Sequence, residues 1–304
     1  MSAADKSPTK SPANGRLSTG DPALDERLGG GFLPGTLTLL VGATGIGKTQ
    51  LGLRFADAGR AQEGRRGILF DMTQRGDAQG HAAYAERLSD WQLRPAPPDH
   101  RPDAASLFDA AQRPPDYLHV FDYRGPKLDS GEHLFDSYHT WRQELVSKLD
   151  VAIAFFYTNF CRGVRRVVVD GIDPTYAPDE SIQFAMFEYV YQQVLRKESD
   201  WVARDLLRQE FRKHQAAVEA ARYEHSQIGC AMLYTSSETM LDALVERPLV
   251  PGDWLANANT VIYLGRVRDG NRIGRALHIA KHRGSYASDE ILPYEITDRG
   301  LRLL

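Results

Sequence analysis

LTLLVGATGIGKTQLGLRF, residues 37–55, is the stretch on which the reading of this 304-residue chain turns. Its apolar run Leu37–Val41 has the length and composition of a buried strand. Gly42, Ala43, Thr44, Gly45, Ile46, Gly47, Lys48 and Thr49 follow as G-x-x-x-x-G-K-[ST], and the text then turns helical from Lys48 to Gly59. Glycines at these positions let a loop wrap so that backbone N–H groups point at a phosphate, and the helix that follows adds its positive N-terminal end. In that setting Lys48 reaches the β- and γ-phosphate oxygens and the Thr49 hydroxyl is placed to ligate Mg²⁺. The spacing therefore predicts a nucleoside triphosphate site, with ATP and Mg²⁺ as cofactors.

Such a site needs a second acid at a strand end to help hold the metal. Arg165-Arg166-Val167-Val168-Val169-Asp170 supplies one, three β-branched residues followed by a carboxylate where ligands collect on a parallel sheet. Asp170 is thus expected to share Mg²⁺ with Thr49. Asp173 lies past the strand and reads as a turn cap before Pro174.

Outward from the loop the pattern alternates strand and helix, which points to a mostly parallel sheet with helices on both faces. Strands are expected at Gly67–Met72, Tyr117–Asp122, Arg165–Asp170 and Cys230–Ser236, and helices at His81–Trp91 and Gly131–Phe160. The region 181–223 contains neither Gly nor Pro and reads as two helices. Asp269-Gly270 and Asp298-Arg299-Gly300 are hairpin signals, so the C-terminal third is expected to close in antiparallel strands. Residues 1–15 are Ser/Pro/Lys-rich and are expected to form a disordered tail. Residues 16–304 are expected to form one domain with insertions at about 76–159 and 176–227.

Composition narrows the class. Hydrophobic residues make up 42% and charged residues 25%, as in a globular chain and unlike a fibrous or disordered one. No apolar run reaches the roughly 20 residues of a membrane span, and the first residues lack the apolar core of a secretory signal. Two cysteines, Cys161 and Cys230, cannot build a disulfide framework and read as free thiols of a reducing, cytoplasmic setting. The nine histidines show no zinc-ligand spacing. Thirty-seven basic against 40 acidic residues give −3, without the basic excess of a nucleic-acid-coating protein. The segment Glu238–Asp253 is itself acidic, which disfavours a phosphate backbone as partner.

Residues Arg16–Gly20 and the Leu-Gly-Gly-Gly lead-in at 28–31, read together with the loop, resemble the opening of the RecA/RadA-like P-loop ATPases of the KaiC family. Ile279–Ser285 resembles that family's K-x-R-G segment, and Pro293–Gly300 its closing strand. The resemblance implies a RecA-like core and assembly into a homo-oligomeric ring, commonly a hexamer. It also implies that Lys281 and Arg283 reach the γ-phosphate bound by a neighbouring subunit. The family carries a catalytic Glu just after its second strand, where this chain has Thr73-Gln74. Gln74 is the residue left to orient a water there, and Gly171 after Asp170 offers no substitute acid. Ser236 or Ser237 stands where such ATPases sense the γ-phosphate. Three readings stay open: a regulatory or signalling ring ATPase of slow turnover acting on protein partners, a nucleotide-bound scaffold without turnover, and a RadA-like accessory of DNA recombination or repair. Measured phosphate release separates the first two, and a salt-sensitive shift of single-stranded DNA separates the third.

Overall fold

Leu37–Gly42 forms strand β1, buried along its whole length in this computed structural model, as a run of Leu and Val broken only by Thr38 requires when both faces of a sheet are covered. The structure describes residues 15–73, 80–97, 103–109, 111–120, 134–172, 182–247 and 254–304. Helix α1 (Pro22–Arg27) precedes β1, its Asp21 cap accepting from the N–H groups of Ala23 and Leu24. Helix α2 (Lys48–Gln62), strand β2 (Ile68–Asp71) and helices α3 (His81–Ser89) and α4 (Ala104–Phe108) follow. Next come strand β3 (Tyr117–His119), helix α5 (Leu134–Cys161) and strand β4 (Arg166–Ile172). Helices α6 (Ile182–Val190), α7 (Ser199–Leu207) and α8 (Phe211–Ala220) lead to strand β5 (Gly229–Thr235). Short helices α9 (Leu241–Glu246) and α10 (Trp254–Asn257) precede strands β6 (Thr260–Asp269), β7 (Arg272–His282), β8 (Ile291–Thr297) and β9 (Gly300–Leu303).

These strands form one sheet in the order β3-β2-β4-β5-β1-β6-β7-β8-β9. Every pair from β3 to β6 is parallel and every pair from β6 to β9 antiparallel. Because side chains alternate along a strand, each strand feeds two cores. Leu39, Val41, Phe70, Val167, Val169 and Met232 pack with residues of α5, α6 and α7 on one face. Leu40, Leu69, Val168, Leu233 and Ile262 pack with residues of α1, α2 and α3 on the other. The expected α/β class, a mostly parallel sheet with helices on both faces and antiparallel C-terminal strands, is what the chain forms.

The details differ in physically readable ways. The region expected as two helices is three, separated by a π-helical turn at Tyr191–Leu195 and a 3₁₀ turn at Arg208–Glu210. Helix α3 ends at Ser89 rather than Trp91, so that the Trp91 indole turns inward and its N–H meets Asp116 at 3.3 Å. The proline-rich stretch still accommodates α4, started by Asp103, which accepts from the Ser106 N–H. Cys230 is buried and Cys161 half-buried, both free. Among the described residues no helix is long and apolar enough to cross a membrane. Residues 1–14 of the expected tail lie outside the described residues, as do Gln74, Asp173 and Asp253.

Candidate functional site

The site is assembled where β1, β4 and β5 end. The loop Gly42–Gly47 leaves β1 against the neighbouring strand so closely that a Cβ on Gly42 would lie 2.2 Å from the Leu264 carbonyl oxygen. Only glycine permits that approach. Tyr294 of β8 braces the loop from below, its hydroxyl donating to the Ile46 carbonyl at 2.6 Å. Lys48 opens α2 and is 6% exposed, its Nζ donating to the Gly42 and Ala43 carbonyls at 2.7 and 2.9 Å. The ammonium is therefore held over the loop, where the oxygens of a phosphate would compete for the same donors. Thr44 and Gly45 form the exposed crest. Ser236, just past the end of β5, donates its backbone N–H to the Gly42 carbonyl at 3.0 Å and so borders the loop.

Thr49 and Asp170 meet. The Thr49 hydroxyl donates to Asp170 Oδ2 at 3.0 Å, and the Gly171 N–H donates to Asp170 Oδ1 at 2.8 Å. A hydroxyl and a carboxylate at this spacing are hard oxygen donors suited to Mg²⁺, so the residues present fit the ion that the loop sequence implies. Gly171 adopts φ +98°, and a Cβ there would stand 2.2 Å from the Thr73 nitrogen. That contact explains why no acid can follow Asp170 in this chain.

The sequence reading missed the histidine of this site. His81, the first residue of α3 and 2% exposed, stands between two carboxylates. Its Nε2 lies 2.9 Å from Asp170 Oδ2 and its Nδ1 lies 3.3 Å from Asp71 Oδ2. Asp71 and Asp170 are register partners on adjacent parallel strands, so both carboxyl groups emerge from the same sheet edge. Asp71 also accepts from the Tyr117 hydroxyl at 2.7 Å and the Thr73 N–H at 2.9 Å. Burial works against a charged His81, and the bonds and charges of Asp170 and Asp71 overcome it, raising its pKa from 6.5 to about 9. Burial likewise opposes a charged Asp71, and His81, Thr73 and Tyr117 together bring it down to about 2. No spacing motif could have flagged His81, because its partners lie 10 and 89 residues away in sequence.

These shifts have a sign. A raised histidine pKa stabilises the fold fully below about 6.5 and loses that contribution as pH climbs through about 9. A depressed carboxylate pKa stabilises above about 3.8 and is lost toward about 2. The groups facing His81 are Asp71 from β2, Tyr117 from β3 and Asp170 from β4. In urea unfolding of the nucleotide-free, metal-free protein, the gap between wild type and His81→Ala is therefore expected to be widest near pH 5–6 and to narrow through pH 9. A gap that is flat with pH would remove the ionic character of this cluster.

Lys281 and Arg283 are not brought to this edge. Lys281 pairs with Val261 and His282 with Thr260, at the start of β6, whereas Gly42 is level with Leu264 and Leu277. Four residues separate Lys281 from that level, about 13 Å of strand, toward the opposite edge of the parallel sheet. There Lys281 Nζ donates to the Leu255 and Ala256 carbonyls at 2.9 Å each, and Arg283 donates to Ala256 at 3.1 Å. Desolvation, with the Arg283 charge beside it, lowers the pKa of Lys281.

The model of the KaiC ATPase family matches residues 17–77. The circadian clock oscillator protein KaiC of Thermostichus vulcanus is 45% identical over 83 residues, 27% of this chain and 15% of that protein. The protein of the same name from Prochlorococcus marinus (strain MIT 9313) is 51% identical over 63 residues, 20% of this chain and 12% of the relative. KaiC 1 of Synechocystis sp. is 33% identical over 113 residues, 34% and 21% respectively. The chain thus spans about one-seventh of the length of the first relatives it matches.

Proposed function

We infer, from the match of residues 17–77 to the KaiC ATPase family and from the phosphate loop they contain, that this chain binds ATP with Mg²⁺ and works as a ring-forming regulatory ATPase of slow turnover. The observation that carries the reading is the 3.0 Å contact between Thr49 and Asp170 beside the phosphate loop. Gly42–Gly47 wraps the phosphates, Lys48 supplies the cation to the β- and γ-oxygens, and Thr49 and Asp170 hold the metal. Mg²⁺, when bound, neutralises charge on the phosphoryl oxygens.

What supports slow turnover is the sequence at Thr73-Gln74, which offers no glutamate where the resemblance places one. Thr73, two residues past the end of β2, carries no carboxylate, Gln74 can only orient a water, and Gly171 packed on Thr73 excludes an acid there. The far-edge position of Lys281 and Arg283 supports the ring reading. They lie away from the loop of their own chain, so the part in phosphoryl transfer that the resemblance implies for them would be played across a subunit boundary. Protein rather than nucleic acid is the partner that the charges favour. Glu238, Asp242 and Glu246 stand against Arg247 after β5, and the net charge is −3. Exposed Tyr189 on α6 and Trp201 on α7 offer aromatic area of the kind that protein interfaces use.

Sizing the protein with and without ATP–Mg²⁺, with released phosphate assayed in the same samples, tests the reading. Growth to a larger species only with ATP–Mg²⁺, accompanied by slow phosphate release, is the expected result. An unchanging monomer would remove the ring, and binding without any release would leave a nucleotide-bound scaffold. Arg283→Ala is expected to lower phosphate release by about 10³-fold while ATP binding changes less than about twofold. Mixing Arg283→Ala with Lys48→Ala chains should restore part of the release, because mixed boundaries pair an intact loop with an intact arginine. No recovery on mixing would place Arg283 outside the site.

A further inference from the structure

We propose that His81, held in place by Asp71 and Tyr117, is a positioning residue that fixes the carboxylate of Asp170 for metal binding. The inference rests on the ATP–Mg²⁺ reading above and adds to it a residue that neither the phosphate-loop motif nor the K-x-R segment contains.

Three adjacent parallel strands build the support. The Tyr117 hydroxyl of β3 and the Thr73 N–H each donate to Asp71, the last residue of β2, one to each carboxylate oxygen. Asp71 Oδ2 lies 3.3 Å from Nδ1 of His81, a charge contact without a hydrogen bond, beside a ring 2% exposed that also packs 5.9 Å from the Tyr117 ring. The opposite ring nitrogen meets Asp170 on β4 at 2.9 Å. Its target is Oδ2, the same oxygen that accepts from the Thr49 hydroxyl, while Oδ1 is held by the Gly171 N–H. Thr49 is the donor that a metal would claim. The imidazole and the Gly171 N–H are what remain to hold the carboxylate once Thr49 turns to the ion. Outer groups of this type orient a ligand without touching the metal, and their loss commonly costs 10–100-fold in metal affinity.

Two substitutions separate the ring nitrogens. The amide nitrogen of Gln falls near Nε2 of His, and that of Asn near Nδ1. His81→Gln therefore keeps a donor toward Asp170, while His81→Asn keeps one toward Asp71 only. The experiment is an equilibrium titration of the full chain with MgCl₂ in the presence of ATP, reading the Mg²⁺ concentration at which ATP binding tightens. Binding of ATP in EDTA and the urea midpoint are measured alongside. Expected is a loss of Mg²⁺ affinity of about 10–100-fold in His81→Ala and His81→Asn, near-wild-type affinity in His81→Gln, and ATP binding in EDTA within about twofold throughout. If His81→Ala fails to fold, the Gln and Asn pair carries the comparison alone. Equal Mg²⁺ affinity in wild type and His81→Asn overturns the proposal. So does an equal loss in Gln and Asn that tracks their urea midpoints, because that is the signature of a purely structural histidine. A wild-type protein whose ATP binding ignores Mg²⁺ overturns instead the ATP–Mg²⁺ reading on which the proposal stands.

Discussion

Lys48→Ala is expected to cost at least about 100-fold in ATP affinity, roughly 3 kcal/mol, measured by equilibrium titration of the purified chain. The ammonium is buried at 6% exposure and its donors are already spent on the Gly42 and Ala43 carbonyls. A phosphate entering the loop replaces those neutral acceptors by charged ones, and charge-assisted bonds are about twice as strong. Removing the side chain loses that gain and leaves the loop carbonyls without their donor. Ring assembly, where it depends on bound nucleotide, falls with it. Asp170→Asn is the informative companion, because it leaves Lys48 in place and removes charge from the metal side. It should weaken binding in Mg²⁺ and leave binding in EDTA nearly unchanged. Unaltered ATP affinity in Lys48→Ala would refute the placement of the phosphates.

The largest expected loss of stability lies at the other end of the same strand. Arg166 starts β4 fully buried and ties three segments together. Its guanidinium donates to both Glu63 oxygens at the end of α2, at 2.8–3.1 Å, and to the Ser18 and Phe55 carbonyls at 2.6 and 2.8 Å. It also bonds the Gln62 side chain and stacks 5.0 Å over the Phe55 ring. Arg166→Met keeps much of the volume but leaves Glu63 charged with a side chain only 8% exposed. Breaking a buried pair from one side costs about 3–5 kcal/mol, a fall of about 10 °C in Tm for a chain of this size. Arg166→Met combined with Glu63→Gln should recover a good part of that loss, since the desolvated charge is then gone. A shift in Arg166→Met of under about 1 kcal/mol would show that Glu63 finds water or another partner.

How much of this was legible in the sequence depends on the range over which each feature is encoded. The strand–loop–helix at residues 37–62 and the Val-rich strand that carries Asp170 and runs on to Ile172 are local patterns, so period and motif identified them and the contact of Thr49 with Asp170 followed. His81, Asp71 and Tyr117 carry no pattern of their own. They meet because β2, β3 and β4 are neighbours in a parallel sheet, a fact of topology rather than of spacing. The same is true of Tyr294, which braces Ile46 across 248 residues. The breaks near Tyr191 and Arg208 were invisible because neither Gly nor Pro marks them. At Arg208 the chain takes φ +50°, and its guanidinium reaches Asp150 on α5 at 3.0 Å, so a tertiary bond accompanies the turn. Lys281 and Arg283 were singled out by resemblance, but their far-edge position follows only from the antiparallel register of β6 and β7.

The central claim is that ATP and its metal are held between the loop at Gly42–Thr49 and Asp170. Equilibrium titration of the wild-type chain with ATP, once in excess Mg²⁺ and once in EDTA, tests it most directly. The account predicts saturable binding of one ATP per chain, tightened at least about tenfold by Mg²⁺, or about 1.4 kcal/mol. Absence of saturable binding in Mg²⁺ at ATP concentrations up to about 1 mM would contradict it.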